Sequence, residues 1–168
     1  MPDLRFNPEE MRLRGFDPRA IAEAQLAKEA NTAAAVLIKD IEVTFGRIPR
    51  PRITRSVARG LDDEWTLSDD RARELALEDP EQDWRDVSAE TINSYQEYFN
   101  FADAEGCRFY LPAFMREYLR GFPQESYDAV YWVCTKPEKL TALNEAERAC
   151  VTKFMDLCHK YESESPRQ

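Results

Sequence analysis

The stretch NEAERACVTKFMDLCHKY, Asn144 to Tyr161, decides the fold class. Asn144 with Glu147 three residues later is a capping-box start: the cap side chain accepts from a backbone amide and the acid reaches back to the cap's own amide. Beyond it, Ala146, Cys150, Phe154, Leu157, Cys158 and Tyr161 recur at three- and four-residue intervals, which sets them on one face of an α-helix. Such a stripe has to be buried against other elements, and the remainder of the chain reads as further helices. The expected fold is mainly α, a compact multi-helix single domain with at most a few short extended segments.

Working outward, Ser126 is placed to cap DAVYWVC, which we read as a helix, although its β-branched residues leave a strand open. The run CRFYLPAFMREYL, Cys107 to Leu119, predicts a brief extended piece up to Leu111. A helix then follows with Pro112 at its first position, where a missing amide does no harm, and with Ala113, Phe114, Tyr118 and Leu119 packed inward. Ser88 caps a helix from Ala89 that carries Ile92, Tyr95, Gln96 and Phe99 on one face and is extended by Phe101 and Ala102 toward Gly106. Ser68 caps another over 69–77, closed by Asp79-Pro80, and Val57, Leu61 and Trp65 suggest a short helical turn. Pro49 and Pro51 mark the longest loop. Before it, Asp17-Pro18 opens an alanine-rich helix toward Ala30, and Ala34, Leu37, Ile38, Ile41 and Phe45 form a stripe ending near Gly46, either a second helix or a continuation of the first.

With 168 residues, 43% of them hydrophobic and 33% charged, the chain has enough apolar surface for one domain without disulfides or metal. No stretch approaches the roughly 20 apolar residues that span a bilayer, and MPDLRFNPEEMRLRGF lacks the apolar region of a signal peptide, so a cytoplasmic location is expected. Cys107, Cys134, Cys150 and Cys158 are far apart and the chain has a single histidine, His159. Reduced core thiols are the expected state, with no metal and no cofactor. His159 follows Cys158 on a helix, where neighbours point about 100° apart, which argues against a Cys–His pair. No GxSxG, Walker A or GxGxxG pattern is present.

The charge is uneven. Residues 1–60 carry 11 Lys+Arg against 8 Asp+Glu, a net of +3; residues 61–106 carry 3 against 15, a net of −12; and residues 107–168 balance at 9 against 9. Just before the acidic segment, RIPRPRITRSVAR concentrates Arg47, Arg50, Arg52, Arg55 and Arg59 around two prolines. Two readings follow. Within the fold, these guanidinium groups neutralise part of the acidic segment. Outside it, the acidic face meets a basic protein through complementary potential. The overall negative charge argues against nucleic acid.

Three constellations stand out. Asp62, Asp63 and Glu64 beside Trp65 form the densest carboxylate cluster, either a solvated capped turn or oxygen ligands for Mg²⁺ or Ca²⁺, although EF-hand spacing is absent. Asp103 and Glu105 precede Arg108 and Tyr110, a grouping suited to acid–base chemistry if one carboxylate were desolvated, and equally to a helix cap or an ion pair with Arg108. Aromatics crowd the run from Tyr95 to Tyr118; most belong in the core, while Tyr98 and Tyr110 are candidates to face a partner.

At GLDDEW (Gly60 to Trp65), DPEQDW (Asp79 to Trp84) and ADAEGCRFYLPAFMREYL (Ala102 to Leu119), the sequence resembles a family of small, uncharacterised bacterial proteins described as a domain of unknown function. The resemblance runs from about Ala33 to Tyr161. It implies a compact helical bacterial domain over 33–161, an amino-terminal helical extension over 1–32 and a polar tail over 162–168, and it carries no catalytic residue. The leading expectation is a non-enzymatic interaction protein, toxin-neutralising or regulatory, that binds a basic protein through Asp62, Asp63, Glu64, Asp69, Asp70, Tyr98, Asp103, Glu105, Arg108 and Tyr110. The competing expectation is an enzyme of unfamiliar type that uses carboxylates of the same middle segment.

Overall fold

The computed structural model describes residues 7–162; the first six residues and 163–168, most of the expected polar tail, lie outside the described residues. Among those described there are eight α-helices and no strand: α1 (Pro8–Leu13), α2 (Pro18–Phe45), α3 (Arg55–Asp63), α4 (Asp69–Leu77), α5 (Ala89–Ser94), α6 (Ala104–Arg120), α7 (Ala129–Cys134) and α8 (Glu145–Tyr161). Short 3₁₀ turns at Trp84–Asp86, Tyr98–Asn100 and Pro137–Lys139 join them. No described helix is long and apolar enough to cross a membrane.

The core is organised around α6, twelve of whose 17 residues are buried. α2 lies against both α6 and α8, and α5 and α7 pack on α6. The two alanine-rich patterns at the amino terminus are one helix. Asp17 accepts from the Arg19 amide at 2.7 Å, Pro18 takes the first position, and nothing breaks the 28 residues until Gly46 at φ +50°. Ala30, Ala34, Leu37, Ile41 and Phe45 are its buried stripe. Trp84, fully buried, donates its indole N–H to the Gly46 carbonyl at 2.9 Å and so caps the carboxyl end of α2.

Four elements differ from the sequence expectation. α6 begins at Ala104, without an extended piece up to Leu111, and Pro112 sits inside it. The Asp103 side chain accepts from the Gly106 amide at 2.7 Å and starts the helix early. Proline then removes one interior amide, while burial on nearly every side keeps the helix continuous. α5 ends at Ser94 and does not carry Tyr95, Gln96 or Phe99 on toward Gly106: Tyr95 leaves the helical conformation at φ −119°, ψ 34°, Tyr98–Asn100 form a separate 3₁₀ turn, and Asp103 then opens a new helix. α7 is a helix and not a strand, but Asp128, not Ser126, is its cap, accepting from the Val130 amide at 3.0 Å. On α8 the capping box forms as read, yet Ala146 is exposed and Glu147 is the buried residue of that turn. Arg108 reaches across from α6 and binds Glu147 with Nη2–Oε1 at 2.8 Å and Nε–Oε2 at 3.0 Å, which satisfies the buried carboxylate.

Candidate interaction surface

The acidic segment divides into an inner and an outer half, and the arginine loop makes the division. Arg55, 6% exposed, lies between Asp79 (3.2 Å) and Glu81 (2.7 Å). Asp79, 1% exposed, also accepts from the Ser56 amide at 2.8 Å and the Ser56 hydroxyl at 2.6 Å. Arg50 donates to the main-chain carbonyls of Ala76, Asp79 and Glu81, closing the carboxyl end of α4. Arg59 pairs with Glu97 and stacks over the Tyr95 ring at 4.1 Å, and Arg52 reaches Glu105 at 3.5 Å. Four of the five arginines, Arg50 and Arg52 in the loop and Arg55 and Arg59 on α3, therefore engage the acidic segment inside the fold.

This network disperses the second constellation. Asp103 is the cap of α6, Glu105 belongs to Arg52, and Arg108 to Glu147 on α8, not to either of its acidic neighbours. Tyr98 and Tyr110 do not face outward: they are 0% and 2% exposed, with ring centroids 4.9 Å apart. Burial pushes the Tyr110 phenol up to about 12 and raises that of Tyr98, so both stay neutral and function as core rings. Their aromatic bodies outweigh their hydroxyls, and the Tyr110 oxygen accepts from the Arg55 amide at 3.3 Å. Burial likewise pushes the Cys107 thiol up to about 12 and the Cys150 thiol to about 11, and all four cysteines are free.

The outer half is the α3–α4 hairpin. It closes where Gly60 meets Leu75 and Leu67; a Cβ at Gly60 would stand 2.5 Å from Leu75 Cδ1. Residues 61–78 carry seven carboxylates against two arginines. Arg71 binds Glu64 at 3.3 Å and Glu74 at 3.2 Å, and Arg73 binds Asp70 at 2.8 Å. Among the described residues no cation lies within ion-pair distance of Asp62, Asp63, Asp69 or Glu78. Asp62, Asp63, Asp69 and Asp70 are exposed and Glu64 is half-buried, all at the end of α3, the bend, or the start of α4.

At the bend between the two helices stands Trp65, fully exposed, with Leu61 four residues before it half-exposed. The sequence reading assigned Trp65 to a short helical turn and missed its exposure. Its surroundings held the signal: carboxylates at the three preceding positions and serine and aspartates shortly after leave only Leu61 and Leu67 as nearby apolar company. An exposed indole near carboxylates of which Asp62, Asp63 and Asp69 are unpaired among the described residues has the composition of an interface anchor with a charged rim.

No curated protein and no solved structure matches the chain. A family model matches residues 33–168, a span that holds the arginine loop, the hairpin, the buried network and α5 to α8, and that opens inside α2. The chain belongs to the Family of unknown function (DUF6714).

Proposed function

We propose that the protein is a non-enzymatic interaction module, toxin-neutralising or regulatory, acting in the bacterial cytoplasm, and that the α3–α4 hairpin docks a basic protein. The observation that carries this reading is Trp65, solvent-exposed amid Asp62, Asp63, Asp69 and Asp70. A free indole contributes contact area, and the carboxylates, of which Asp62, Asp63 and Asp69 have no internal cation among the described residues, contribute long-range attraction and exclusion of acidic competitors. Asp79, Glu81, Glu97 and Glu105 are held by arginines of the preceding basic run, which leaves the hairpin with the densest outward charge of the segment. The enzymatic alternative requires Asp63, Asp103 or Glu105 in a common cleft; they stand at a hairpin tip, a helix cap and an Arg52 pair. In this reading residues 1–32 are a helical extension of the domain over 33–161.

The test is affinity capture from the source cell at low and high salt, with wild type and with Asp62, Asp63, Asp69 and Asp70 all reversed to lysine. A partner with a basic surface that is retained at low salt, lost at high salt and absent from the reversed variant supports the proposal. Partners bound equally by both forms at high salt contradict it.

A further inference from the structure

Where α5, α6 and the loop into α7 meet, a cleft of about 290 Å³ opens between the apolar walls of Ile92 and Phe114. Gln96, Gln124, Glu117 and Asp128 line it, and none of its residues belongs to the α3–α4 hairpin. Asn93 and Ser126, which can donate as well as accept, complete its polar lining. The Gln96 amide nitrogen donates to the Ile92 carbonyl at 3.1 Å and that of Gln124 to the Tyr118 carbonyl at 3.1 Å, which anchors both carboxamides by their donor ends and leaves their oxygens as acceptors. The Tyr118 hydroxyl, also in the lining, gives its proton to the Glu162 carboxylate. Among the described residues no lysine, arginine or histidine lines the cleft, and Arg120 nearby is held by Glu117 at 3.1 Å.

The carboxylates here have more capacity than the fold uses. One Asp128 oxygen accepts from the Val130 amide at 3.0 Å to cap α7. Behind the lining, buried Glu162 accepts a hydrogen bond from the Tyr118 hydroxyl on one carboxylate oxygen and is also approached by the Gln124 main-chain amide. A small cleft with an apolar wall, neutral polar groups and the carboxylates of Glu117 and Asp128, but no cationic side chain among the described residues of its lining, suits a ligand that brings N–H groups and a positive charge. Among the described residues no three His, Cys, Asp or Glu side chains stand close enough together to hold a metal ion, so a polyatomic cation suits the spacing better than a bare one.

We propose that this cleft binds a small organic cation, a primary ammonium or guanidinium group on a short aliphatic stem. The charged head meets Asp128 and the oxygens of Gln96 and Gln124, and the stem lies on Ile92 and Phe114. The head comes either from a free amine or from a lysine or arginine side chain of a protein. This inference does not depend on the hairpin: one can fail while the other stands.

The experiment is titration of the full chain with butylamine, agmatine and doubly capped lysine, read by two-dimensional NMR, with n-butanol as the neutral control. Saturable shifts at Gln96, Gln124 and Val130 with the cations, absent with butanol, are expected. Asp128→Asn keeps the α7 cap and removes the charge, and should weaken binding at least about tenfold. Gln96→Leu, which keeps the α7 cap and removes only the Gln96 bond to the Ile92 carbonyl, should weaken it as well and serves if the first variant does not fold. Tighter binding of capped lysine than of butylamine assigns the head to a protein side chain, and the reverse to a free amine; either supports the site. No saturation by about 10 mM, equal response to butanol, or unchanged affinity in both folded variants overturns it.

Discussion

Trp65 and Glu147 show how differently two side chains are used. Trp65 contributes nothing evident to the fold, so Trp65→Ala should change stability by less than about 0.5 kcal/mol in a denaturant melt, while weakening the basic partner by about 2 kcal/mol or more, roughly thirtyfold. Glu147 is the converse. At 1% exposure it completes the α8 capping box and holds Arg108, so Glu147→Ala removes a cap and strands a half-buried guanidinium. A loss of about 2–4 kcal/mol is expected in the same melt, with Glu147→Gln milder because it retains the reach to the Asn144 amide. Both residues were visible in the sequence in part: the capping box told of Glu147's local bond, but its second partner lies on another helix, 39 residues away in the chain.

At the scale of the element, α6 depends on a close approach that only glycine permits. Gly106 stands in its first turn, where a Cβ would collide with the Tyr98 hydroxyl and approach the Asp103 carboxylate to 2.9 Å. Tyr98 is fully buried and has no room to yield, so Gly106→Ala should destabilise by about 1–3 kcal/mol despite the better helix propensity of alanine, as a thermal melt would show. The sequence carried this glycine as the end of the preceding helix, since glycine commonly stops helices; that Asp103 would cap across it depends on local competition between two possible starts. α7 offers a pH test. Burial raises the Asp128 carboxyl above its ordinary value, so the folded state takes up a proton more readily than the unfolded one. Stability therefore falls as pH rises from the ordinary carboxylate range through the folded value. Asp128→Asn, an equally good cap, should melt a few degrees higher than wild type at pH 7, with the difference shrinking as pH falls toward the ordinary carboxylate range.

For the whole molecule, the charge count was legible and its allocation was not. Net −12 over residues 61–106 is a property of composition, whereas the separation of Asp79, Glu81, Glu97 and Glu105, which bind arginines of the preceding basic run, from the free carboxylates of the hairpin is set by tertiary packing. Helix types and most caps were legible because they arise from bonds within four residues: Asp17, Ser68, Ser88 and Asn144 all cap as read. The candidate site was half legible. Asp62, Asp63, Glu64, Asp69 and Asp70 lie at the end of α3, the bend or the start of α4 as five near neighbours in sequence, while Tyr98, Asp103, Arg108 and Tyr110 were drawn inward by partners that no local pattern reveals. Asp79→Ala probes the inner half: removing it leaves Arg55 with Glu81 alone and should cost about 3–5 kcal/mol by denaturant titration.

The outer half is tested most directly by the salt dependence of affinity. The dissociation constant of the captured basic protein would be measured by calorimetry from about 50 to 500 mM salt, for wild type and for the variant with Asp62, Asp63, Asp69 and Asp70 reversed to lysine. A steep weakening with salt in wild type, and binding lost in the variant while its melting temperature is retained, is the expected result. An affinity that is flat in salt and unchanged by the reversal would contradict a docking role for the α3–α4 hairpin.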